Sequence, residues 1–255
     1  MFKELKPFLL GLGIALACAS QARADVAFDA ATEFSAGTTT RAVSHTPVGT
    51  PAGAWVLMNV IGGLDELGAC DYGGVNMPEQ AGSPVVKTTG ETGTVHVYFL
   101  GAGIPTGAQT VTCVATGTTL TKSGYVYTVT SAGPNTEVVD VDCSISSDSL
   151  DDPSVTLSVS GRTSTAAIAM VSGIDATANV SADTGWTVFD ENGIGGTQVA
   201  ASYRLTTPQA TDIAAGYLTS AADDAVMCAL AVSEVVAGTS LTCRFLTLLG
   251  VTACR

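Results

Sequence analysis

Apolar and polar residues alternate with a period of two along most of the chain, and Gly or Pro punctuates the alternation. That pattern predicts short β-strands joined by tight turns. Residues 38–45 (TTTRAVSH) read as an early strand, and residues 54–61 (AWVLMNVI) form the nearly continuous apolar run of a sandwich-core strand. Residues 70–77 (CDYGGVNM) carry a Gly pair that predicts a bulge or tight bend. Residues 94–100 (TVHVYFL) put Val95, Val97 and Phe99 on one face, and residues 109–115 (QTVTCVA) do the same with Val111 and Cys113. Residues 124–130 (GYVYTVT) set Tyr125, Tyr127 and Val129 against Val126, Thr128 and Thr130.

The later part of the chain repeats the style. Residues 154–160 alternate Val155, Leu157 and Val159 with Ser and Thr, and residues 165–171 are an apolar strand. Residues 186–189 and 198–206 flank a turn at Glu191-Asn192-Gly193. Residues 212–218 and 225–236 close the pattern; the last segment (AVMCALAVSEVV) reads as strand in this setting, with a buried helix as the alternative. Short strands at this spacing, with no amphipathic helix, predict an all-β protein, a single two-sheet antiparallel β-sandwich. No linker divides residues 25–236, which read as one domain, and no repeat of fixed period is visible. Residues 237–255 read as a tail tied down by cysteines.

Residues 1–24 read as a signal peptide. Lys3 and Lys6 precede a 13-residue apolar stretch, too short to span a bilayer, and Ala22-Arg23-Ala24 places cleavage before Asp25. Six cysteines follow: Cys70, Cys113, Cys143, Cys228, Cys243 and Cys254. An even count behind an export signal predicts disulfides in an oxidising compartment, with the protein secreted, periplasmic or carried on a virion. Fifteen pairings of six cysteines stay open, and no C-x-x-C spacing points to zinc.

Charge narrows the partners. Only 13% of residues are charged, and 10 basic against 23 acidic residues give −13. Nucleic-acid binding needs clustered Lys and Arg for phosphate, so it is excluded as an expectation, as is a polybasic membrane surface.

Candidate chemistry is sparse. Residues 101–107 (GAGIPTG) miss the dinucleotide spacing and precede a strand, so they read as an inter-strand turn with no cofactor. No G-x-S-x-G elbow is present. His45, before a Pro-rich turn, and His96, opposite Val95 and Val97, read as surface or turn residues rather than bases. Asp148, Asp151 and Asp152 crowd one loop, Asp190, Glu191 and Asn192 another, and Asp223-Asp224 a third; none has EF-hand spacing, and all read as solvated turns with no metal assigned. A carboxylate pair such as Asp148 with Asp190 would suit glycoside hydrolysis only across a cleft. Trp186 and the tyrosines at 72, 98, 125, 127, 203 and 217 read as core, with sugar stacking as the competitor. Asn179-Val180-Ser181 matches a glycosylation pattern and nothing more.

Several segments in order add a resemblance: VAFDAATE at 26–33, HTPVGTP at 45–51, YGGVNM at 72–77, YFL at 98–100 with IPTGAQTV at 104–111, and ALAVSE at 229–234. Together they resemble a family of secreted and phage-encoded β-sandwich domains, jelly-roll or concanavalin-like in style. The resemblance implies a virion-associated or surface-exposed structural module and carries over no catalytic residue. The expected function is a non-enzymatic structural or attachment protein, a tail or capsid accessory or an exported surface module. Its partners would be copies of itself, other structural subunits or surface glycans, with no nucleic acid and no stable transmembrane span. The alternative is a secreted bacterial carbohydrate-binding or adhesin domain.

Overall fold

The computed structural model describes residues 26–62, 66–88, 92–133, 135–146, 153–162, 164–173, 180–182, 184–190, 193–194, 197–206, 211–219 and 225–235. Every regular element among them is a strand. The first nine are β1 (Ala27–Gly37), β2 (Arg41–His45), β3 (Gly53–Ile61), β4 (Leu67–Tyr72), β5 (Val75–Met77), β6 (Val85–Lys87), β7 (Gly93–Leu100), β8 (Gln109–Ala115) and β9 (Thr121–Thr130). The next nine are β10 (Thr136–Ser146), β11 (Ser154–Leu157), β12 (Thr165–Gly173), β13 (Val180–Ala182), β14 (Thr187–Asp190), β15 (Gly193–Ile194), β16 (Thr197–Thr206), β17 (Ile213–Thr219) and β18 (Ala225–Glu234). All described strands fall in one compact unit, Asp25–Glu234.

Pairing is nested and antiparallel. β1 lies against β9, β2 against β8, β3 against β7 and β4 against β5. A hairpin of four such pairs, rolled so that alternate pairs fall in opposite sheets, is a jelly roll. It yields one sheet ordered β1-β9-β3-β7-β6 and a second ordered β2-β8-β4-β5. The second nine strands repeat this plan. Their sheets run β10-β18-β12-β16-β14 and β11-β17-β13, so that β10 takes the place of β1, β12 of β3, β16 of β7 and β18 of β9. The chain therefore holds two copies of one topology, a repeat that no sequence period announces.

The four sheets stack in layers, because three separate cores lie between them. Val43, Tyr72, Val111 and Cys113 of the first outer sheet pack against Val56, Met58, Tyr98 and Val126 of the first inner sheet. The other face of that sheet, with Trp55, Leu57, Val97 and Tyr127, packs on Ile168, Met170, Leu230 and Val232 of the second inner sheet. The far face of the second inner sheet is small, Ala167, Ala169, Ala229 and Ala231, and receives Leu157, Trp186, Ile213 and Tyr217. The two inner sheets are thus covered on both sides. This is why β3 and β18 read as unbroken apolar runs: neither face has solvent to accommodate polar residues. The expected all-β antiparallel sandwich is present, and it is doubled. Residues 225–234 are strand, not helix.

β1 and β10, the first strand of each copy, were not expected from the alternation. Both sit at a sheet edge, and both carry a register shift, between Phe28 and Ala30 and between Val138 and Asp140. A bulge inserts one extra residue and breaks the period of two.

Two disulfides cross adjacent strands. Cys70 and Cys113 face each other on β4 and β8 of the first outer sheet. Cys143 and Cys228 face each other on β10 and β18 of the second inner sheet. Cα separations of 4.1 Å in both fit directly opposed residues. The two bridges do not occupy equivalent positions in the two copies. Cys243 and Cys254 lie outside the described residues.

Candidate functional site

The first copy carries two buried polar knots, one at each end of its strands. At the end where β2 gives way to the 46–52 connection, three strands, β1, β2 and β9, bring hydroxyl, imidazole and carboxylate groups together. Asp29 is a carboxylate and can only accept, so the Thr128 hydroxyl donates to its Oδ2 at 2.9 Å. Thr128 Oγ1 must then accept from His45 Nε2, 3.1 Å away. That leaves His45 Nδ1 as acceptor for the Thr32 hydroxyl at 2.8 Å. The chain of bonds ends where the backbone N–H of Gly49 donates to Asp29 Oδ1 at 2.7 Å. Every donor in the relay has one acceptor, which fixes the imidazole tautomer and ties the 46–52 connection to β1.

Tyr72 stands edge-on to the His45 ring, with centroids 6.0 Å apart. Burial, then the charge of Asp29, pushes its hydroxyl up to about 12, so it stays protonated. Burial lowers His45 to about 4, with Asp29 pulling weakly the other way. The neutral ring at pH 7 suits its place in the relay, which holds the 46–52 connection through Asp29.

The expectation that His45 and His96 lie at the surface does not hold. Both are buried: His45 turns inward from the first outer sheet itself, and His96 lies on the face of β7, opposite Val95, that this sheet roofs. His96 Nδ1 lies 2.8 Å from Glu79 Oε1, and Ser83 links the same carboxylate to the N–H of Val97. This arrangement pins the 78–84 segment onto β7.

At the opposite end, Lys122 is fully buried. Its ammonium donates to Glu66 Oε2 at 2.9 Å and to the carbonyls of Thr38, Gly117 and Leu120 at 3.0 to 3.2 Å. Glu66 also accepts from the Thr119 hydroxyl, its N–H and the N–H of Leu120. Those bonds, led by the Thr119 hydroxyl, hold its carboxyl down to about 2. Neither knot was read from the sequence. The available signal was a Lys opening an otherwise apolar strand, and it gives no hint of a glutamate 56 residues away.

The second copy keeps a clamp of the same kind, Asp140 of β10 accepting from the Ser158 N–H at 2.7 Å just past β11, without the imidazole or the ammonium. At the position matched to His45 on β11 stands Leu157, and on β18 Ala225 and Ala231 stand where β9 has Lys122 and Thr128. All three are buried and apolar.

The remaining sequence candidates are placed as follows. Residues 101–107 connect β7 to β8, with Gly103 and Gly107 at φ of 66° and 73°, as a turn requires. Trp186 is core, its indole N–H donating to Ala214 O at 3.0 Å. Tyr217 bonds Ser202 and Ala169 O, and Tyr203 stacks on Phe28 at 4.3 Å. Asp148, Asp151, Asp152, Asn179, Glu191, Asn192, Asp223 and Asp224 lie outside the described residues. Asp190 ends β14. Among the described residues no three His, Cys, Asp or Glu side chains group as a metal site, and no helix is long and apolar enough to cross a membrane.

No protein-family model, no curated protein and no solved structure matches the chain.

Proposed function

We propose that the chain is a non-enzymatic structural or attachment module, exported or carried on a particle, that acts by assembling with copies of itself or with other structural subunits. The observation that carries this reading is what the two outer sheets turn outward. The first presents Ala42, Ser44, Ala69, Asn76 and Thr110, and the second presents Ser154, Thr156, Ser158 and Ala214. Apart from Asp71 and Val114 on the first, these faces are made of small uncharged side chains, which lose little rotamer entropy when covered. They suit packing against another protein surface. Rings for stacking on sugars are missing from them: among the described side chains every Trp and Tyr is buried or half-buried, which weighs against a carbohydrate-binding module. The polar constellations that could suggest catalysis are spent on holding loops.

The test is co-sedimentation of the native protein with particles or filaments from its producing culture, alongside screens on glycan and peptide substrates. Co-sedimentation without turnover is expected. Turnover that disappears in a combined Asp148→Ala, Asp190→Ala variant would overturn the reading, and so would a protein that never leaves the soluble fraction.

A further inference from the structure

We infer that the free edge of the second inner sheet is closed against strand addition by other chains, and that Asp142 is the residue that closes it. The inference goes beyond the assembly reading, because it names a route by which chains do not join. β10 is 11 residues long and forms the outer edge of its sheet, paired with β18 on one side only. Such an edge offers a row of unpaired N–H and C=O groups to any extended chain. Its side chains invite one: Val138, Val139, Val141 and Ile145 favour strand, and Ile145 is 45% exposed.

The register says which backbone groups face outward. Opposed residues of an antiparallel pair alternate between close pairs, which exchange no hydrogen bonds, and wider pairs, which exchange two. Cys143 and Cys228 are a close pair, with Cα atoms 4.1 Å apart. The N–H and C=O of Cys143 therefore point away from β18, as do those of Val141 and Ile145 on either side of it.

These outward groups are guarded. The Cys143 N–H donates to Oδ1 of Asp142 at 2.9 Å, so a carboxylate occupies the donor that an added strand would use. Gly82, in the 78–84 segment of the first copy, lies over the Val141 carbonyl, where a Cβ would come within 3.7 Å of the oxygen. Nearer the start of β10, the register shift between Val138 and Asp140 bends the edge, and Asp140 holds the Ser158 N–H beside it at 2.7 Å. The first copy has the same combination on β1, a register shift at Asp29 and a bond from that carboxylate to the Gly49 N–H. Bulge and carboxylate are thus common to both copies, although His45, Thr128 and Lys122 of the first answer to Leu157, Ala231 and Ala225 in the second.

The experiment follows thioflavin T fluorescence of the full disulfide-bonded chain, agitated at pH 7, for the wild type, Asp142→Ala and Asp142→Asn. Hydrogen exchange reads the amides of residues 136–146 in whatever assembles. Asp142 is exposed, and circular dichroism checks that each variant keeps the fold. The wild type should stay dark. Asp142→Ala should give a signal about tenfold or more above it, because the freed N–H gains a hydrogen bond when a strand adds. The Cys143 amide should be protected in those assemblies. Asp142→Asn keeps the side-chain oxygen without the charge and should stay dark. An Asp142→Ala protein that stays dark overturns the inference, and so does growth in which the Cys143 amide exchanges freely. Equal growth of Asp142→Asn also overturns it, since charge rather than the capped N–H would then guard the edge. A wild type that never joins particles sinks the assembly reading and leaves this one standing.

Discussion

The Lys122 ammonium lies 2.9 Å from the Glu66 carboxylate, and three backbone carbonyls share its remaining donors. A buried ammonium is tolerated only when it is paired and fully bonded. Here the pairing joins the end of β1, the approach to β4 and the β8–β9 turn. Lys122→Ala removes the hub and should destabilise the fold by about 3 kcal/mol, measured by chemical denaturation at pH 7. Glu66 sits below its ordinary carboxylate range in the folded state, so its contribution is present above that range and is lost as pH falls toward 2. A Glu66→Gln variant should therefore flatten the acid limb of the stability curve.

His45 gives the opposite kind of group, a base held down by burial. The unfolded imidazole takes a proton near pH 6.5 and the folded one near 4, so the unfolded state binds more protons between those values. Stability contributed by the neutral ring is complete above about pH 6.5 and declines as pH falls toward 4, by on the order of 3 kcal/mol. Denaturation at pH 7 and pH 4.5 should show this loss in the wild type. His45→Leu, which copies the residue of the second copy, should show less of it. Equal pH dependence in both would refute the assignment.

The disulfides predict a peptide map. Digestion without reduction should yield Cys70 linked to Cys113 and Cys143 linked to Cys228. Full oxidation of all six cysteines would then add a peptide joining Cys243 to Cys254. The bridges close separations of 43 and 85 residues, and replacing either pair by Ala should cost about 4 kcal/mol through the unfolded chain. Cross-linked peptides in any other combination would contradict the strand register.

Gly124 offers a steric test. A Cβ there would collide with the Leu57 carbonyl oxygen and lie 2.8 Å from Met58 Cα, both backbone atoms of the neighbouring strand. Gly124→Ala should force β9 and β3 apart and cost about 1–3 kcal/mol or more, read as a drop in denaturation midpoint.

Strands buried on both faces were legible as apolar runs at residues 54–61 and 165–171, whereas the longer run from residue 225 left a buried helix open because an unbroken apolar run has no period to decide between them. The edge strands β1 and β10 were lost to their bulges. The two histidines were misplaced for a related reason: period two assigns a residue to a face, and it does not say whether another sheet covers that face. His96 does lie opposite Val95 and Val97, and a second sheet lies beyond it. The duplication was invisible because only the pairing plan repeats. Trp55 and Leu57 on β3 answer to Ile168 and Met170 on β12, and Lys122 answers to Ala225, so volumes and polarity diverge at matched positions. The knots join residues far apart in the chain, and no local pattern records such a partner.

The nested pairing sets an order for folding. β1 finds its partner only when β9 has been made, and β10 waits in the same way for β18. Each copy must hold its first strand open until its last arrives, with every strand between them already competing for edges. Contacts of such long sequence separation make for slow closure and a prolonged exposure of unpaired strands. A chain leaving the ribosome holds β1 unpaired until β9 follows, so the yield of folded protein depends on what shields that strand in the interval as well as on the stability of the finished stack.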